Sequence, residues 1–424
     1  MAVKFESFGL HENIMKAIKE AGFREPSPVQ EQAIPLVLEG HDIVAQAQTG
    51  TGKTAAFAIP IIDRIHKSKT SNRSEGIKCI VMEPTRELAV QIAEVFNQIG
   101  KHTRVKSFCV FGGVEQDKQI TALEAGIDIL IATPGRMFDL VSQGYIKLDK
   151  IDTLVLDEAD HMLDLGFNKD IVDLLKFLPK KRQTLFLSAT INKKVKDLSY
   201  SVVSNPIRIT ISPKDPVSKN VTHKVAFVEM DDKRFFLERL INENEDKKIL
   251  VFVRTKVRAE RVYSAMDRVG IKCATLHGDK EQKDRLDVLN KFKSGEVKVL
   301  IATDVSARGI DIPNVEYVVV YDLPEQPENY VHRVGRTGRG KNKGLAVSFC
   351  STEEKGLLKD IEAYTGNEIK VLEVENSEYQ TTIDVSLDSS SDWKTLMKDY
   401  DKTLDEVKKK AAKKINKKRN KNKK

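Results

Sequence analysis

Residues 42–54 read DIVAQAQTGTGKT, an apolar run followed by a glycine-rich loop that opens a second apolar stretch. We expect a buried strand, a loop and a helix in that order. The backbone amides of such a loop, with the N-terminus of the helix, can surround the β- and γ-phosphates of a nucleotide, although Ala47 replaces the first glycine of the strict pattern. Lys53 adds a compact positive charge and Thr54 a hydroxyl for Mg²⁺. The residues that we expect to hold the nucleotide are Thr49, Gly50, Thr51, Gly52, Lys53 and Thr54.

Short β-branched runs recur between longer helical stretches. The first series, expected as strands, covers residues 42–45, 79–82, 107–111, 127–131, 153–156 and 184–187. A second series follows a proline-containing polar stretch and covers residues 248–253, 272–276, 299–302, 315–321 and 344–348. Continuous apolar runs suit strands that helices cover on both faces. The sequence therefore predicts an α/β fold with two tandem, doubly wound parallel-sheet domains.

The prolines and the loss of the strand pattern predict the domain boundaries. The first domain is placed at residues 1–208, a linker at 209–220 and the second domain at 221–365. Residues 366–424 are predicted to be a polar, then lysine-rich tail. The spacing of Trp393, Leu396, Met397, Tyr400 and Leu404 is compatible with a helix that runs towards the lysine-rich end. That end is expected to be largely disordered, because it lacks the apolar surface to fold alone.

The composition excludes several other classes of protein. Four widely spaced cysteines without a CxxC pair argue against a zinc site or a disulfide scaffold and favour reduced thiols in the cytoplasm. No apolar run is long enough to span a bilayer, so no membrane association is expected. The net charge of +8 arises in residues 407–424, which hold 11 basic and no acidic residues, whereas the rest of the chain is nearly neutral.

The strand at 153–156 ends in the acidic sequence Asp157-Glu158-Ala159-Asp160. Asp157 would lie just past the carboxyl edge of the sheet, where it can bind Mg²⁺, and Glu158 can orient and deprotonate an attacking water. Taken alone, this sequence could equally supply a helix N-cap through Asp157 or Asp160. The phosphate loop upstream favours the catalytic interpretation.

These motifs resemble those of the bacterial type of DEAD-box ATP-dependent RNA helicases, of superfamily 2, over roughly residues 5–364. The motifs occur in the order of the family. They are Gly22-Phe23 with Pro26-Ser27-Pro28-Val29-Gln30, Pro84-Thr85-Arg86-Glu87-Leu88, Gly112-Gly113, Thr133-Pro134-Gly135-Arg136, Ser188-Ala189-Thr190, His277-Gly278, Gln282 with Arg285, the run from Ala302 to Asp311, and the run from His332 to Arg339. The resemblance implies two RecA-like domains, ATP and Mg²⁺ as ligands, and RNA as the partner.

The resemblance also assigns roles around ATP. It implies that Gln30 reads the adenine edge and that Phe5 stacks on the base, although Phe5 could instead be a hydrophobic staple on the first helix. Ser188 and Thr190 would link hydrolysis to domain closure. The second domain would supply the arginine fingers Arg336 and Arg339, the ribose contact Asp311 and the coupling residue His332. Because these groups and the phosphate loop lie on different domains, catalysis is expected to require closure.

RNA is expected to lie across both domains and to be bound mainly through its backbone, with little sequence preference. The contacts implied are Pro84, Thr85, Arg86, Gly113, Thr133 and Arg136 on the first domain, and Arg254, Gly278, Thr303 and Asp304 on the second. For Thr85 and Thr133, ordinary helix capping is an equal alternative.

The expected activity is local strand separation coupled to ATP hydrolysis. Two other functions are a duplex-DNA translocase, which the adenine-reading motif and the full acidic motif disfavour, and an ATP-gated RNA clamp, which would need the same site. The lysine-rich end is either a solvated extension or a non-specific electrostatic anchor for RNA. By resemblance, ribosomal or RNA-decay proteins are expected as partners, with a monomer as the default state.

Overall fold

The computed structural model describes residues 3–48, 50–211, 217, 220–307, 312, 315–338 and 343–386. Within these residues it forms two α/β units, each built on a sheet of seven parallel strands. This confirms the predicted fold class of two tandem, doubly wound parallel-sheet domains.

The first sheet has the order β3-β4-β2-β5-β6-β1-β7. Its strands are β1 Ile43–Gln46, β2 Cys79–Met82, β3 Ser107–Val110, β4 Ile129–Ala132, β5 Thr153–Leu156, β6 Gln183–Ser188 and β7 Ile207–Thr210. The helices are α1 Glu12–Glu20, α2 Pro28–Leu38, α3 Lys53–Ser68, α4 Arg86–Gly100, α5 Asp117–Glu124, α6 Pro134–Ser142, α7 Ala159–Asp164, α8 Asn168–Phe177 and α9 Lys193–Val202, and a 3₁₀ turn at Phe5–Phe8 precedes them.

The second sheet repeats this order with every strand number raised by seven, β10-β11-β9-β12-β13-β8-β14. Its strands are β8 Val221–Phe227, β9 Ile249–Phe252, β10 Cys273–Leu276, β11 Val299–Ala302, β12 Tyr317–Val320, β13 Gly344–Cys350 and β14 Lys370–Val371. The helices are α10 Lys233–Asn242, α11 Lys256–Arg268, α12 Gln282–Ser294, α13 Asp304–Ala307, α14 Pro327–Val334, α15 Lys355–Thr365 and α16 Asn376–Val385, with a 3₁₀ turn at Thr352–Glu354 before α15.

Each sheet buries both of its faces under helices. In β2, Cys79 and Val81 enter one apolar cluster, whereas Ile80 and Met82 enter the cluster on the opposite face. The second sheet likewise separates two clusters. This explains why the strands read as continuous apolar runs, since neither face contacts water.

The sequence analysis did not predict the last strand of the first domain or the first strand of the second domain. Strand β7 pairs with β1, and the amide of Ile211 donates to the carbonyl of Gln46, so the first sheet extends past the predicted boundary at residue 208. Only Ile209 of β7 is buried, because an edge strand shows a weaker apolar pattern. Strand β8 lies inside the second sheet, but its mixture of polar and apolar residues concealed it.

The predicted end of the second domain at residue 365 lies too early. Ile369 is 3% exposed, and β14 pairs with β8. Helix α16 packs on α10, where Arg239 donates to Glu378 at 2.6 Å and to Thr382 at 2.9 Å. Tyr379 of α16 also packs on Phe236 of α10, with ring centroids 4.8 Å apart. One aromatic ring and several polar contacts do not form the apolar periodicity that predicts a helix from the sequence. The lysine-rich segment at 407–424 lies outside the described residues.

Replacing Ile369 tests whether the residues after 365 belong to the folded core. We expect Ile369→Ala to lower the free energy of unfolding by about 2–4 kcal/mol, because it removes buried methyl groups and leaves a cavity. The measurement is chemical denaturation followed by circular dichroism. Leu372→Ala, at a site 37% exposed, is the control and should change stability much less. Equal stabilities for the two variants would contradict this domain end.

Candidate active site between the two sheets

The predicted phosphate loop connects β1 to α3, which begins at Lys53. Gly50 and Gly52 have φ angles of 83° and 93°, in the left-handed region that favours glycine. A side chain at Gly52 would also collide with Gln30, since a Cβ there would lie 2.5 Å from the Gln30 Nε2. The Thr51 hydroxyl donates to the Gln48 carbonyl at 2.7 Å and fixes the turn. Thr49 lies outside the described residues.

A buried cluster of charges lies at the N-terminus of α3. Lys53 Nζ is 2.9 Å from Glu158 Oε1 and 3.9 Å from Asp157 Oδ1, and all three side chains are buried. Burial opposes the charge of Lys53, but attraction to the two carboxylates outweighs it and raises the pKa of the ammonium. Burial likewise opposes ionisation of Glu158, yet Lys53 keeps the pKa of this carboxyl below its ordinary value. Asp157 is further from Lys53, and burial raises its pKa to about 6. Glu158 is therefore the carboxylate that Lys53 holds ionised.

Glu158 also has a strained backbone. Its φ angle of 47° places a non-glycine residue in the left-handed region, which costs of order 1–3 kcal/mol and is concentrated at functional sites. In this conformation the Glu158 amide donates a hydrogen bond to the carboxylate of the preceding residue, at 2.8 Å from Asp157 Oδ1. The strain thus fixes both carboxylates at the end of β5.

Asp160 connects the acidic motif to the motif after β6. Its Oδ2 accepts hydrogen bonds from the Thr190 amide at 3.0 Å and from the Thr190 hydroxyl at 2.9 Å. The Ser188 hydroxyl donates to the Thr190 carbonyl at 2.7 Å. From the second domain, His332 Nε2 lies 3.9 Å from the same Asp160 oxygen. The structure therefore brings together Ser188, Thr190 and His332, which the sequence assigned to coupling.

Glu83 is a buried acid that the sequence analysis missed. It directly follows β2, beside Asp157, whose amide donates to the Met82 carbonyl at 3.3 Å. Its side chain is fully buried, and neither carboxyl oxygen has a hydrogen-bond partner among the described residues. Burial, with repulsion from Asp157 and Glu158, raises the pKa of Glu83 well above its ordinary value. The signal in the sequence was an acid directly after an apolar run, as at Asp157.

The residues expected to recognise adenine lie beside the phosphate loop. The Gln30 side chain accepts from the Ser27 amide at 3.0 Å and donates to the Gly52 carbonyl at 3.1 Å, so it ties α2 to the loop. Phe5 is only 2% exposed and packs against Phe8 and Phe23. The structure thus favours the packing alternative for Phe5, because its ring has little exposed surface on which a base could stack.

In the second domain, Arg336 follows α14 and is 2% exposed, with its Nε donating to the His332 carbonyl at 3.0 Å. Arg339 and Asp311 lie outside the described residues. Asp304 accepts two hydrogen bonds from Arg333, at 2.6 and 2.7 Å, so both of its oxygens are engaged within the domain. Arg333 was not selected from the sequence, although it lies in the quoted motif.

The residues expected to bind RNA form two groups. On the first domain, Gly113 has a φ angle of 82°, and a side chain there would overlap the Arg86 guanidinium. Arg136 donates to the neighbouring Val114 carbonyl at 3.2 Å. Thr85 caps α4 by accepting from the Leu88 amide at 3.4 Å, in agreement with the capping alternative. Pro84 is buried beside it.

On the second domain, Arg254, Thr303 and Asp304 line a cleft of about 410 Å³ that also reaches His161 of the first domain. Gly278 is exposed and is not among the residues that line this cleft. Thr133 precedes α6 without a side-chain capping bond.

A buried contact joins the two domains directly. Glu87 of α4 is 1% exposed and accepts hydrogen bonds from Gln282 Nε2 at 2.8 Å and from Arg285 Nη2 at 2.9 Å, both on α12. Arg86 Nη1 lies 3.4 Å from the Gln282 Oε1. Since neither α4 nor α12 can complete these bonds alone, the contact exists only when the domains meet.

This arrangement defines a class of protein. A glycine-rich loop and buried acids on one RecA-like domain face a second domain of identical strand order, as in two-domain ATPases that close on their ligand. Among the described residues, no helix is both long and apolar enough to cross a membrane, and no group of three or more potential metal-ligating side chains is found.

Comparisons with known proteins narrow the class to a family. The sequence matches the DEAD/DEAH box helicase domain over residues 27–198 and the helicase conserved C-terminal domain over residues 232–341. It is 40% identical over 370 residues to the DEAD-box ATP-dependent RNA helicase RhpA of Helicobacter pylori, covering 87% of this chain and 74% of that protein. The chain belongs to the DEAD-box family of ATP-dependent RNA helicases.

Solved structures of one relative also bear on the arrangement of the domains. The chain is similar to S. cerevisiae Dbp5 bound to RNA and ADP BeF3, with 33% identity, a TM-score of 0.81 and coverage of 91% of this chain and 100% of that one. Against a Dbp5 variant bound to a Gle1 variant and IP6, at 34% identity and with 90% and 98% coverage, the TM-score is 0.72. The arrangement is thus nearer to that of the RNA- and nucleotide-bound form.

Glu83→Gln tests the buried acid through the pH dependence of stability. Because the pKa of Glu83 is raised in the folded state, the unfolded chain loses this proton at a lower pH than the folded chain does. We therefore expect the free energy of unfolding of the wild-type chain to fall, relative to that of Glu83→Gln, as the pH rises above about 4.3. The slope of this fall should be up to about 1.4 kcal/mol per pH unit. Denaturant titrations at a series of pH values measure the difference. Glu94→Gln, at an exposed position of α4, serves as the control with a flat difference. A flat difference for Glu83→Gln as well would refute the assignment.

Glu87→Gln tests the contact between the domains. Removing one charge of a buried, hydrogen-bonded pair costs about 2–5 kcal/mol, so we expect the closed arrangement of the two domains to become less stable. We expect the RNA concentration for half-maximal ATPase stimulation to rise at least about ten-fold, with the RNA-free rate unchanged. Glu94→Gln again provides the matched control. An unchanged RNA dependence would show that this contact does not contribute to closure.

Proposed function

We propose that ATP binds at the phosphate loop and is hydrolysed by the residues that converge at the carboxyl ends of β1, β5 and β6. In this mechanism Lys53 and the amides of the loop hold the β- and γ-phosphates, and Glu158 orients the attacking water and accepts its proton. The observation that carries the proposal is the buried contact of Lys53 with Glu158 at 2.9 Å. Phosphate oxygens entering the loop would replace Glu158 as partners of Lys53 and release its carboxylate for the water.

Mg²⁺ fits the residues beside the loop. Thr54 and Asp157 offer hard oxygen donors, and Mg²⁺ in such sites usually takes one or two protein ligands together with phosphate oxygens and water. The ion would supply charge neutralisation on the phosphates. The Asp157 carboxylate is held in position by the hydrogen bond that it accepts from the Glu158 amide.

The second domain is proposed to complete the site in trans. Arg336, with Arg339, would neutralise charge that develops on the γ-phosphate, and Asp311 would bind the ribose. Support comes from the position of His332, which reaches Asp160 across the cleft, and from the carbonyl of His332, which orients Arg336. Hydrolysis would then depend on closure of the domains.

RNA is proposed to lie across both domains and to be held by its sugar-phosphate backbone. Arg86, Gly113 and Arg136 form the group on the first domain, and Arg254 and Thr303 form part of the group on the second. We expect these groups to contact phosphates and sugars rather than base edges, so sequence preference should be weak. Closure around one strand would exclude its complement and so separate a short duplex locally.

The cellular setting is proposed from the resemblance and from composition. We place the protein in the cytoplasm, as a monomer, with ribosomal or RNA-decay proteins as partners. The basic residues at 407–424 would add non-specific, salt-dependent attraction to RNA.

Steady-state ATP hydrolysis tests the proposal. We expect strong stimulation by single-stranded RNA, little by DNA of the same sequence, and a rate lowered about 10²–10⁴-fold in Glu158→Gln, which keeps the shape but loses the base. The matched control is Glu94→Gln, at an exposed site. Equal stimulation by DNA would indicate a translocase instead, and an active Glu158→Gln would remove Glu158 from the mechanism.

A further inference from the structure

An apolar groove lies between α10 and α16, on the side of the second domain where the described chain ends. Its volume is about 590 Å³, and Phe235, Thr381, Thr382 and Val385 contribute to its walls. Val385 is 73% exposed although it is the last residue of α16. The groove therefore ends at an aliphatic side chain that is open to solvent.

The groove is shaped by polar contacts that hold α16 on α10. Arg239 donates to Glu243 at 2.7 Å and to Glu378 at 2.6 Å, so its charge is already balanced within the wall. The Ser386 hydroxyl donates to Glu238 at 2.5 Å and fixes the end of the helix at the edge of the groove. Three carboxylates against one guanidinium leave the rim acidic.

We propose that this groove binds the segment 393–404 of the same chain. The segment reads WKTLMKDYDKTL, and Trp393, Leu396, Met397, Tyr400 and Leu404 recur at the three- and four-residue spacing of one helix face. Three lysines (Lys394, Lys398 and Lys402) and two aspartates (Asp399 and Asp401) lie between them, so the segment carries a net charge of +1 opposite the acidic rim. The segment thus matches the groove in both apolar character and charge.

The position of the segment in the chain favours binding within one molecule. The residues between Ser386 and Trp393 can span up to about 20–25 Å when extended, and the groove begins at Ser386 itself. A tether this short gives an effective concentration in the millimolar range, so a weak contact suffices to keep the groove occupied.

The bound segment would determine where the basic end of the chain begins. Only Asp405 and Glu406 separate Leu404 from residues 407–424, so the 11 positive charges of that stretch would extend from a fixed point on the second domain. This role goes beyond the ATP and RNA sites and does not depend on their assignment.

Trp393 is the sole tryptophan of the chain, so its fluorescence reports on the segment alone. In the full-length protein we expect a blue-shifted emission maximum and protection from acrylamide. Val385→Lys should shift the maximum to the red and increase quenching, because it places a charge in the groove and repels the lysines. Val172→Lys, the same change at an exposed site of α8, should leave both unchanged.

A second variant changes the segment instead of α16, so its result does not depend on whether Val385→Lys unfolds the end of that helix. The double substitution Leu396→Ser with Met397→Ser leaves the groove intact and should expose Trp393 to the same degree. An exposed Trp393 in the wild-type chain, or emission that neither variant alters, would overturn the proposal. A change in the Trp393 emission maximum or in the molecular mass over a roughly hundred-fold dilution would also overturn the proposal. Such a change would mean that the segment occupies the groove of a second copy.

Discussion

The buried contact of Lys53 with Glu158 is the interaction on which the organisation of the site depends. A lysine and two carboxylates taken out of water need partners, and here each is the partner of another. The sheet makes this possible, because the carboxyl ends of parallel strands meet at one edge and place the loop after β1 beside the motif after β5. In the proposed mechanism, phosphate would replace Glu158 as the partner of Lys53, which would exchange one satisfied state of the lysine for another.

The second domain uses the same fold in a different way. Its strand order is that of the first, yet residues 228–232, which join β8 to α10, contain no glycine, and we propose that this domain instead supplies side chains that complete the site on the first. The contacts between the domains are polar and specific, with Glu87 receiving two donors from α12 and Asp160 facing His332. Polar contacts suit domains that must separate again, because their groups can be solvated when apart.

Much of this organisation could be predicted from the sequence, since the central strands and the motifs that follow them are local in the chain. The runs at Cys79–Met82, Thr153–Leu156 and Val299–Ala302 have the bounds predicted. Elements at the edges could not be predicted, because only Ile209 of β7 is buried. Helix α16 is held by Arg239 and by the Tyr379 ring rather than by a continuous apolar stripe. Glu83 was missed although it directly follows an apolar run, as Asp157 does. The pairing of Glu87 with Arg285 could not be predicted, because it joins residues that only the tertiary structure brings together.

The pairing of β7 with β1 has a mechanical consequence. Because the strands are parallel, the chain leaves the first sheet at Ile211, at the same edge from which the phosphate loop emerges. The chain thus leaves the first sheet one strand away from the phosphate loop, and a rotation of the second domain about Ile211 would have a short lever arm at that loop. Parts of the second domain that lie further from Ile211 would move through larger distances for the same angle of rotation. A small movement beside the phosphate loop would therefore accompany a larger displacement at the far rim of the cleft.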